Sequence, residues 1–206
     1  MVGSIREYRL QPGKLNEVVR LTRDHFVPIV SNAPGFVSYS FTYVGGDEIV
    51  TTSIFETQAQ AEQSNVIAAE WAKANLKDAV TAPPRVTTGR IPVRHVNEGT
   101  QPGYGVMRRF EIKREHIDQA TKRVADGLVP LLSGMRGFCS YGLLVASTED
   151  RGVTLSAFTD RAAAEESNQR ALAWTRENLG DVLTKPIEVV TGEVKFRLAK
   201  APVGAL

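Results

Sequence analysis

Residues 64–76 read SNVIAAEWAKANL and residues 167–179 read SNQRALAWTRENL, so one pattern of Ser-Asn, Ala, Trp, Asn and Leu occurs twice. The two copies begin 103 positions apart in a chain of 206 residues. A match this short can arise by chance, but a longer internal repeat decides the architecture of a chain. The flanking sequence therefore determines whether a whole domain is duplicated.

The repeat extends in both directions from this segment. Upstream, VPIVSNAPGFVSYS at 27–40 matches VPLLSGMRGFCSYG at 129–142, with an offset of 102. Downstream, PPRVTTGRIPV at 83–93 matches PIEVVTGEVKF at 186–196, with an offset of 103. The offset changes between Val44 and Val50, where GGDEI faces the longer STEDRG, and turns tolerate an added residue. The chain is therefore a tandem duplication.

The repeat predicts the domain boundaries. We expect one domain at residues 1–94, a linker at 95–103, a second domain at 104–198 and a C-terminal tail at 199–206. The joining stretch IPVRHVNEGTQPG is rich in Pro, Gly and polar residues, which is typical of a linker. Two domains of about 100 residues each lie within the usual size range.

The composition argues against several functional classes. The net charge is only +2 and no run of basic residues occurs, so we expect no nucleic-acid partner. The N-terminus MVGSIREYRL lacks the apolar core of a signal peptide, and no apolar run approaches the roughly 18 residues of a membrane span. The lone Cys139 has no disulfide partner. We therefore expect a cytoplasmic protein that does not bind membranes.

Each copy predicts the order strand, helix, strand, strand, helix, strand. GGDE separates two β-rich runs and predicts a hairpin, and Pro28 and Pro130 are expected to interrupt or kink the first helix of each copy. This βαββαβ order is the ferredoxin-like arrangement of an α+β protein, with two helices on one sheet face. Because the other face needs cover, we expect the copies to pair, sheet against sheet, as an internal pseudo-dimer.

The order of elements, the domain length and one signature resemble a known family. The signature runs F-x-x-x-x-x-A-E-x-S-N, then W, N-L, P and T-G, in both copies. It resembles the antibiotic biosynthesis monooxygenase family of dimeric α/β barrels, whose members are usually single domains that pair. The resemblance implies an intramolecular dimeric α/β barrel. Further self-association is left open.

The resemblance implies one of two functions. The first is a cofactor-independent monooxygenase acting on a small electron-rich aromatic or quinol substrate. The second is a non-catalytic or stress-associated protein of the same fold that binds a small apolar ligand. The family also has haem-degrading members, but His25, His95 and His116 are not repeated and none lies where those members carry an axial His. We expect no cofactor and no metal.

The repeated helix has one face that could line a binding pocket. Its positions are spaced by 4, 3 and 4 residues and so share a helical face. A Trp there could stack on a flat ligand and Ser and Asn could hydrogen-bond it, or the Trp could be buried while Ser and Asn satisfy the local backbone. The substrate-binding candidates are Ser64, Trp71 and Asn75 with their counterparts Ser167, Trp174 and Asn178.

Arg6 and Arg108 are the catalytic candidates on the first strand of each copy, because each lies among large apolar residues where Arg is unusual. Each could stabilise an anionic or enolate oxygen of a substrate. Alternatively, each could reach solvent or pair with an internal carboxylate such as Asp24 or Asp126.

Two further pairs of candidates are repeated. Asn65 and Asn168 lie about 100° around the helix from the Ser positions and are catalytic candidates at the edge of the same groove. Tyr39 and Tyr141 are substrate-binding candidates on the second strand, although a half-buried strand Tyr often only packs.

The neighbours of the repeated residues differ between the copies. Ile67 corresponds to Arg170, and Tyr8 corresponds to Phe110. A cation at 170 is expected to open or polarise the second site. We therefore expect the first copy to have the tighter apolar cavity and to be the reactive one.

Overall fold

The computed structural model describes residues 1–147 and 150–200. The described chain forms two compact units, here called the first unit (residues 1–89 and 194–200) and the second unit (residues 90–193). None of the described helices is both long and apolar enough to cross a membrane.

The first half of the chain has the predicted βαββαβ order. Its elements are β1 (Val2–Arg9), α1 (Leu15–Leu21), a π-helical segment (Thr22–Phe26), α2 (Val27–Ser31), β2 (Phe36–Gly45), β3 (Glu48–Phe55), α3 (Gln58–Asn75) and β4 (Arg85–Val96). The second half repeats this order. Its elements are β5 (Tyr104–Glu111), a 3-10 turn (Arg114–His116), α4 (Ile117–Arg123), a π-helical segment (Val124–Leu128), α5 (Val129–Ser133), β6 (Phe138–Ala146), β7 (Arg151–Phe158), α6 (Arg161–Leu179) and β8 (Glu188–Ala199).

The strands of each unit are antiparallel, and the second strand of the hairpin lies in the middle. In the first unit β3 lies between β1 and β2, in registers that pair Val2 and Phe36 with Phe55. In the second unit β7 lies between β5 and β6. The complete hydrogen-bonded order is β1-β3-β2-β8-β5-β7-β6-β4, which closes on itself. The predicted α+β class and the strand order of an α/β barrel are confirmed.

The long strands β4 and β8 determine how the chain is divided. β4 belongs to the first unit up to Gly89 and to the second unit from Arg90, while β8 returns to the first unit at Val194. β4 also extends to Val96, into the stretch predicted as a linker. The boundaries drawn from the repeat remain a prediction about the duplicated segments. Most of the predicted C-terminal tail, residues 201–206, lies outside the described part of the chain.

Local sequence explains the ends of the elements. Gly46 and Asp47 both have positive φ angles, 57° and 63°, as a two-residue hairpin turn between β2 and β3 requires. The corresponding turn of the second copy includes residues 148 and 149, which are not described. Helix α3 begins with a capping box in which the Thr57 side chain accepts from the Gln60 amide and the Gln60 side chain accepts from the Thr57 amide.

The first helix of each copy changes its winding before the repeated proline. The π-helical segments Thr22–Phe26 and Val124–Leu128 immediately precede the α-helical turns that contain Pro28 and Pro130. Proline lacks the amide hydrogen that the preceding turn would use, and a π segment is one way for a helix to accommodate this. The predicted interruption therefore takes the form of a widened turn.

Candidate functional site

Arg6 is buried on β1 among neutral polar side chains. Only 3% of the surface of this residue is exposed to solvent. Nη1 donates to Ser53 Oγ at 3.0 Å, and Nη2 donates to Asn65 Oδ1 at 2.5 Å and to Ser64 Oγ at 3.5 Å. Burial lowers the pKa of Arg6 below its usual value. The structure therefore brings together three of the residues predicted in the first copy.

Arg108 has the same surroundings in the second unit but one unused nitrogen. Nε donates to Asn168 Oδ1 at 2.9 Å and Nη1 donates to Ser156 Oγ at 3.1 Å. Nη2 is buried and has no hydrogen-bond partner among the described residues. Burial lowers the pKa of Arg108 to about 10, so the guanidinium remains a cation at neutral pH.

The expected carboxylate partners of the two arginines lie elsewhere. Asp24 accepts from Arg23 and Asp126 accepts from Lys122, both at the surface. Within residues 1–147 and 150–200, neither Arg6 nor Arg108 forms a salt bridge, and both are buried. The alternatives of an internal ion pair or of an arginine reaching solvent are therefore wrong. A buried cation without a counter-charge is energetically unfavourable, and it favours binding of an anion.

The Ser and Asn side chains on this helix face mainly donate hydrogen bonds to backbone carbonyls of their own helices. Ser64 Oγ donates to Ala61 O at 2.8 Å, and Ser167 does the same to Ala164 O at 2.7 Å. The Nδ2 groups of Asn75 and Asn178 donate at 2.8 Å to the carbonyls of the Trp four residues earlier. The structure thus does not bring Asn75 and Asn178 to the arginines, because their hydrogen bonds close the last turns of α3 and α6.

The two tryptophans have different surroundings. Trp71 is half-buried, lies 5.1 Å from the Phe26 ring between centroids, and lines a small cavity of the first unit. Trp174 packs against the core of the second unit, where the backbone of Gly127 makes room for it. A Cβ at Gly127 would lie 2.7 Å from Trp174 Cζ2. Trp174 is therefore held by packing and is not among the residues that line the cavity of its own unit.

Tyr39 and Tyr141 are buried on the second strand of their sheets, at 3% and 1% exposure. Burial raises the pKa of both phenols, and the nearby arginine partly opposes this in each unit. Both tyrosines therefore remain neutral. Tyr39 lines the first cavity together with Arg6 and Trp71.

Each unit has a cavity next to its buried arginine, and the cavity of the second unit is the larger. The volume open to the centre of a water molecule is ≈ 40 Å³ in the second unit and ≈ 20 Å³ in the first. The larger cavity lies between β5–β7, the α4 region and α6, and its walls are mostly aliphatic. Arg108 and Thr154 contribute from the sheet, and Thr121 and Thr175 contribute from the helices.

The difference in volume follows from smaller side chains at repeated positions. Five residues that line the second cavity have larger counterparts in the first copy. They are Ala120, Leu128, Leu143, Val145 and Gly152, which correspond in this order to Val18, Phe26, Phe41, Tyr43 and Ile49. The strand registers support this correspondence, since Phe41 pairs with Thr51 and Leu143 with Thr154.

The expectation that the first copy has the tighter cavity is confirmed by these volumes, but the reason given for it is wrong. The accompanying expectation that the first copy is the reactive one stays a prediction, and the buried Nη2 of Arg108 favours the second unit instead. Arg170 does not enter the second site, because it is exposed and forms an ion pair with Glu166 at 2.7 Å. A comparison of side-chain volumes between the two copies could have indicated which copy has the larger cavity, although not where that cavity lies. The Ser, Trp and Asn residues that repeat on α3 and α6 carry no such signal. Within the described residues, no three His, Cys, Asp or Glu side chains are grouped as a metal site would require.

Solved structures share this fold over nearly the whole chain at low sequence identity. A provisionally assigned monooxygenase from Fusobacterium nucleatum subsp. nucleatum ATCC 25586 has a TM-score of 0.76 and 10% identity, over 97% of this chain and 94% of that chain. Another from Lactobacillus acidophilus NCFM has a TM-score of 0.75 and 10% identity, over 96% and 95%. An anthrone oxidase-like protein has a TM-score of 0.64 and 14% identity, over 100% and 96%.

The sequence comparisons match one segment in the second half of the chain. No sequence among curated proteins matches the chain. Residues 103–173, from the start of β5 into α6, match the model of the family described as antibiotic biosynthesis monooxygenase. The second half of this chain is therefore similar to an antibiotic biosynthesis monooxygenase domain, and the first half repeats its order of elements.

Proposed function

We propose that this protein is a cofactor-independent monooxygenase whose second unit oxidises a small, electron-rich aromatic or quinol substrate. The observation that carries the proposal is Nη2 of Arg108, a buried cationic nitrogen without a partner at the edge of a mostly aliphatic cavity. The family match over residues 103–173 covers most of the residues that form this cavity. An expected cytoplasmic location stays a prediction.

Arg108 would act on the ionisation of the substrate. A phenol or enol whose oxygen lies beside Nη2 would lose its proton more readily, because a neighbouring positive charge in an apolar environment favours the anion. Among the residues that the structure describes, neither a His nor a carboxylate lines the cavity. The guanidinium would therefore replace a strong general base by lowering the pKa of the bound substrate, and Asn168 and Ser156 would hold it in place.

The reaction that fits this site converts an activated CH₂ group and O₂ into a carbonyl and water. The substrate anion gives its electrons to O₂ in one-electron steps, a C–O bond forms, and protonation yields a hydroperoxide. Loss of the remaining C–H proton then breaks the O–O bond, so that carbon is oxidised to C=O and the second oxygen leaves as water. One similar structure is of an anthrone oxidase-like protein, and an anthrone has such a CH₂ group.

The second candidate is a protein that binds the same small ligand without turnover. The lack of a general base among the lining residues favours this alternative, since proton transfer usually requires one. The two candidates share the cavity and the anionic contact. They differ only in whether oxygen is consumed.

Oxygen-electrode measurements with dihydroxynaphthalenes, whose two rings suit the volume of the cavity, separate the two candidates. If the proposal is right, the protein accelerates O₂ uptake above the rate without protein, and Arg108→Met reduces that acceleration by about 100-fold or more, as for loss of an oxyanion contact. Arg170→Met is the matched control, because it removes an exposed arginine of the same unit. Saturable ligand binding without O₂ uptake would support the binding protein. O₂ uptake that persists in Arg108→Met would remove Arg108 from the mechanism.

A further inference from the structure

The cavity of the second unit contains a second polar atom without a partner. Thr121, on α4, lines the cavity, and its Oγ1 is buried and finds no hydrogen-bond partner in the part of the chain that the structure describes. A threonine inside a helix can satisfy its hydroxyl at the carbonyl four residues earlier, but Thr121 makes no such bond. An unsatisfied buried hydroxyl destabilises the folded state. A ligand atom in the cavity could remove this penalty.

The hydroxyl of Thr121 is not required by the fold. The corresponding residue of the first copy is Val19, which has the same shape without the hydroxyl and packs against the core of the first unit. A valine therefore suits this helix position when only packing is needed. The threonine is present in the unit that has the larger cavity.

The two unpartnered atoms belong to different walls of the cavity. Arg108 lies on β5, in the sheet, and Thr121 lies on α4, in the helical layer. The surfaces between them are mostly aliphatic. A ligand that satisfies both atoms must therefore carry polar groups at two points of an otherwise apolar frame.

The volume sets the size of that frame. If the ≈ 40 Å³ open to water centres is treated as a sphere and extended by the radius of water, it corresponds to roughly 180 Å³ of molecular volume. An apolar cavity of about 150 Å³ is known to accept benzene. The second cavity therefore fits a flat ligand of one or two rings.

We propose that Thr121 is the second polar contact of this site and selects a ligand with two oxygens. One oxygen is an ionised phenol or enol at Arg108, and the other is a neutral hydroxyl or carbonyl at Thr121, both on a frame of one or two aromatic rings. This inference rests on the proposed function for the location of the site, but it concerns binding and requires no oxidation. It narrows the substrate class to dihydroxyaromatics and hydroxyaryl ketones.

Calorimetric titration without oxygen tests this proposal. The ligands are 1-naphthol, with one oxygen, and the 1,4-, 1,5- and 1,8-dihydroxynaphthalenes, with two. We expect at least one dihydroxynaphthalene to bind roughly five- to tenfold more tightly than 1-naphthol, as for one neutral hydrogen bond. Thr121→Val should abolish that preference and leave the affinity for 1-naphthol within about twofold, because the shape of the side chain is kept.

Two further variants serve as controls. Thr121→Ser keeps a hydroxyl and should retain the preference, whereas Val19→Thr adds one in the first unit and should not change it. A preference that survives in Thr121→Val, or no dihydroxynaphthalene that binds better than 1-naphthol, would overturn the inference. Preferential binding of a dihydroxynaphthalene without O₂ uptake would contradict only the proposed oxygenase activity and would leave the role of Thr121 intact.

Discussion

Arg108→Met is expected to change the stability of the protein little while it removes the affinity for an anionic ligand. Arg108 is 3% exposed and has no carboxylate partner among the described residues. Burial lowers its pKa to about 10, roughly two units below the usual value of an arginine, and each pKa unit corresponds to about 1.4 kcal/mol. Keeping this side chain charged in the folded state therefore costs about 3 kcal/mol. Because the pKa is lower in the folded state, this penalty is complete below pH 10 and disappears as the pH rises towards the pKa of the unfolded chain.

Other interactions offset this gain. Met fills a similar volume with flexible apolar atoms, but Asn168 Oδ1 and Ser156 Oγ lose their charged donors. Each hydrogen bond to a charged group contributes about 1.5–3 kcal/mol, and the loss of both costs about 3 kcal/mol, at the low end because Asn168 is only half-buried and can bind water. The two effects are similar in size, so we expect a change in Tm of no more than about 4 °C for a chain of this size.

Thermal unfolding at pH 7, with and without 1-naphthol, measures both effects. Arg6→Met is the matched comparison, because the Arg6 guanidinium donates to three side chains and its loss removes one hydrogen bond from each of them. We expect a larger loss of Tm for Arg6→Met than for Arg108→Met. Addition of 1-naphthol should raise the Tm of the unmodified protein but not that of Arg108→Met. A fall in Tm of clearly more than about 4 °C for Arg108→Met would refute the reasoning, since Arg108 would then be a structural group.

Three other predictions follow from particular contacts. Gly152→Ile places the first copy's residue in the wall of the second cavity, where even a Cβ meets the ring of Phe110. Because the larger side chain takes space from the ligand, the affinity for 1-naphthol should fall by at least about tenfold in calorimetry. Trp71→Ala removes a half-buried ring that packs on Phe26, so urea unfolding should show a loss of about 2 kcal/mol, below the 3–5 kcal/mol range of a core site; a full core-sized loss would contradict its place at a cavity. Asp160→Ala removes the N-cap of α6. Its Tm deficit should be present at neutral pH and vanish as the pH falls through the lowered pKa of Asp160, because the carboxylate stabilises the helix only when ionised; a deficit independent of pH would refute the cap.

The sequence was sufficient to predict the architecture. The repeat at offsets of 102 and 103 indicates the duplication, alternating apolar residues indicate the strands, and GGDE indicates the first hairpin. These are local or periodic signals, and local geometry decides them. The pairing of Arg6 with Asn65 and of Arg108 with Asn168 also joins residues that the sequence had named as candidates.

The tertiary structure decided which candidates lie beside the buried arginines. Asn75 and Ser64 repeat faithfully, yet their hydrogen bonds go mainly to their own helix, and a repeat cannot distinguish a capping role from a binding one. The carboxylate partner expected for Arg6 shows the same limit. Asp24 lies in the first predicted helix of the same copy, but it pairs with Arg23 at the surface.

The cavity of the second unit likewise could not be read from any single stretch of the chain. Gly152 matters because β7 places it opposite Phe110 on β5, and Thr121 matters because α4 brings it to the same space. Each of these residues is unremarkable in its own segment. A cavity is the volume that remains after side chains from distant segments have packed together. A nitrogen is unpaired when no acceptor from any of those segments lies within hydrogen-bond distance. The sequence by itself therefore determined the fold, whereas only the packed structure decided where a ligand has room and charge to bind.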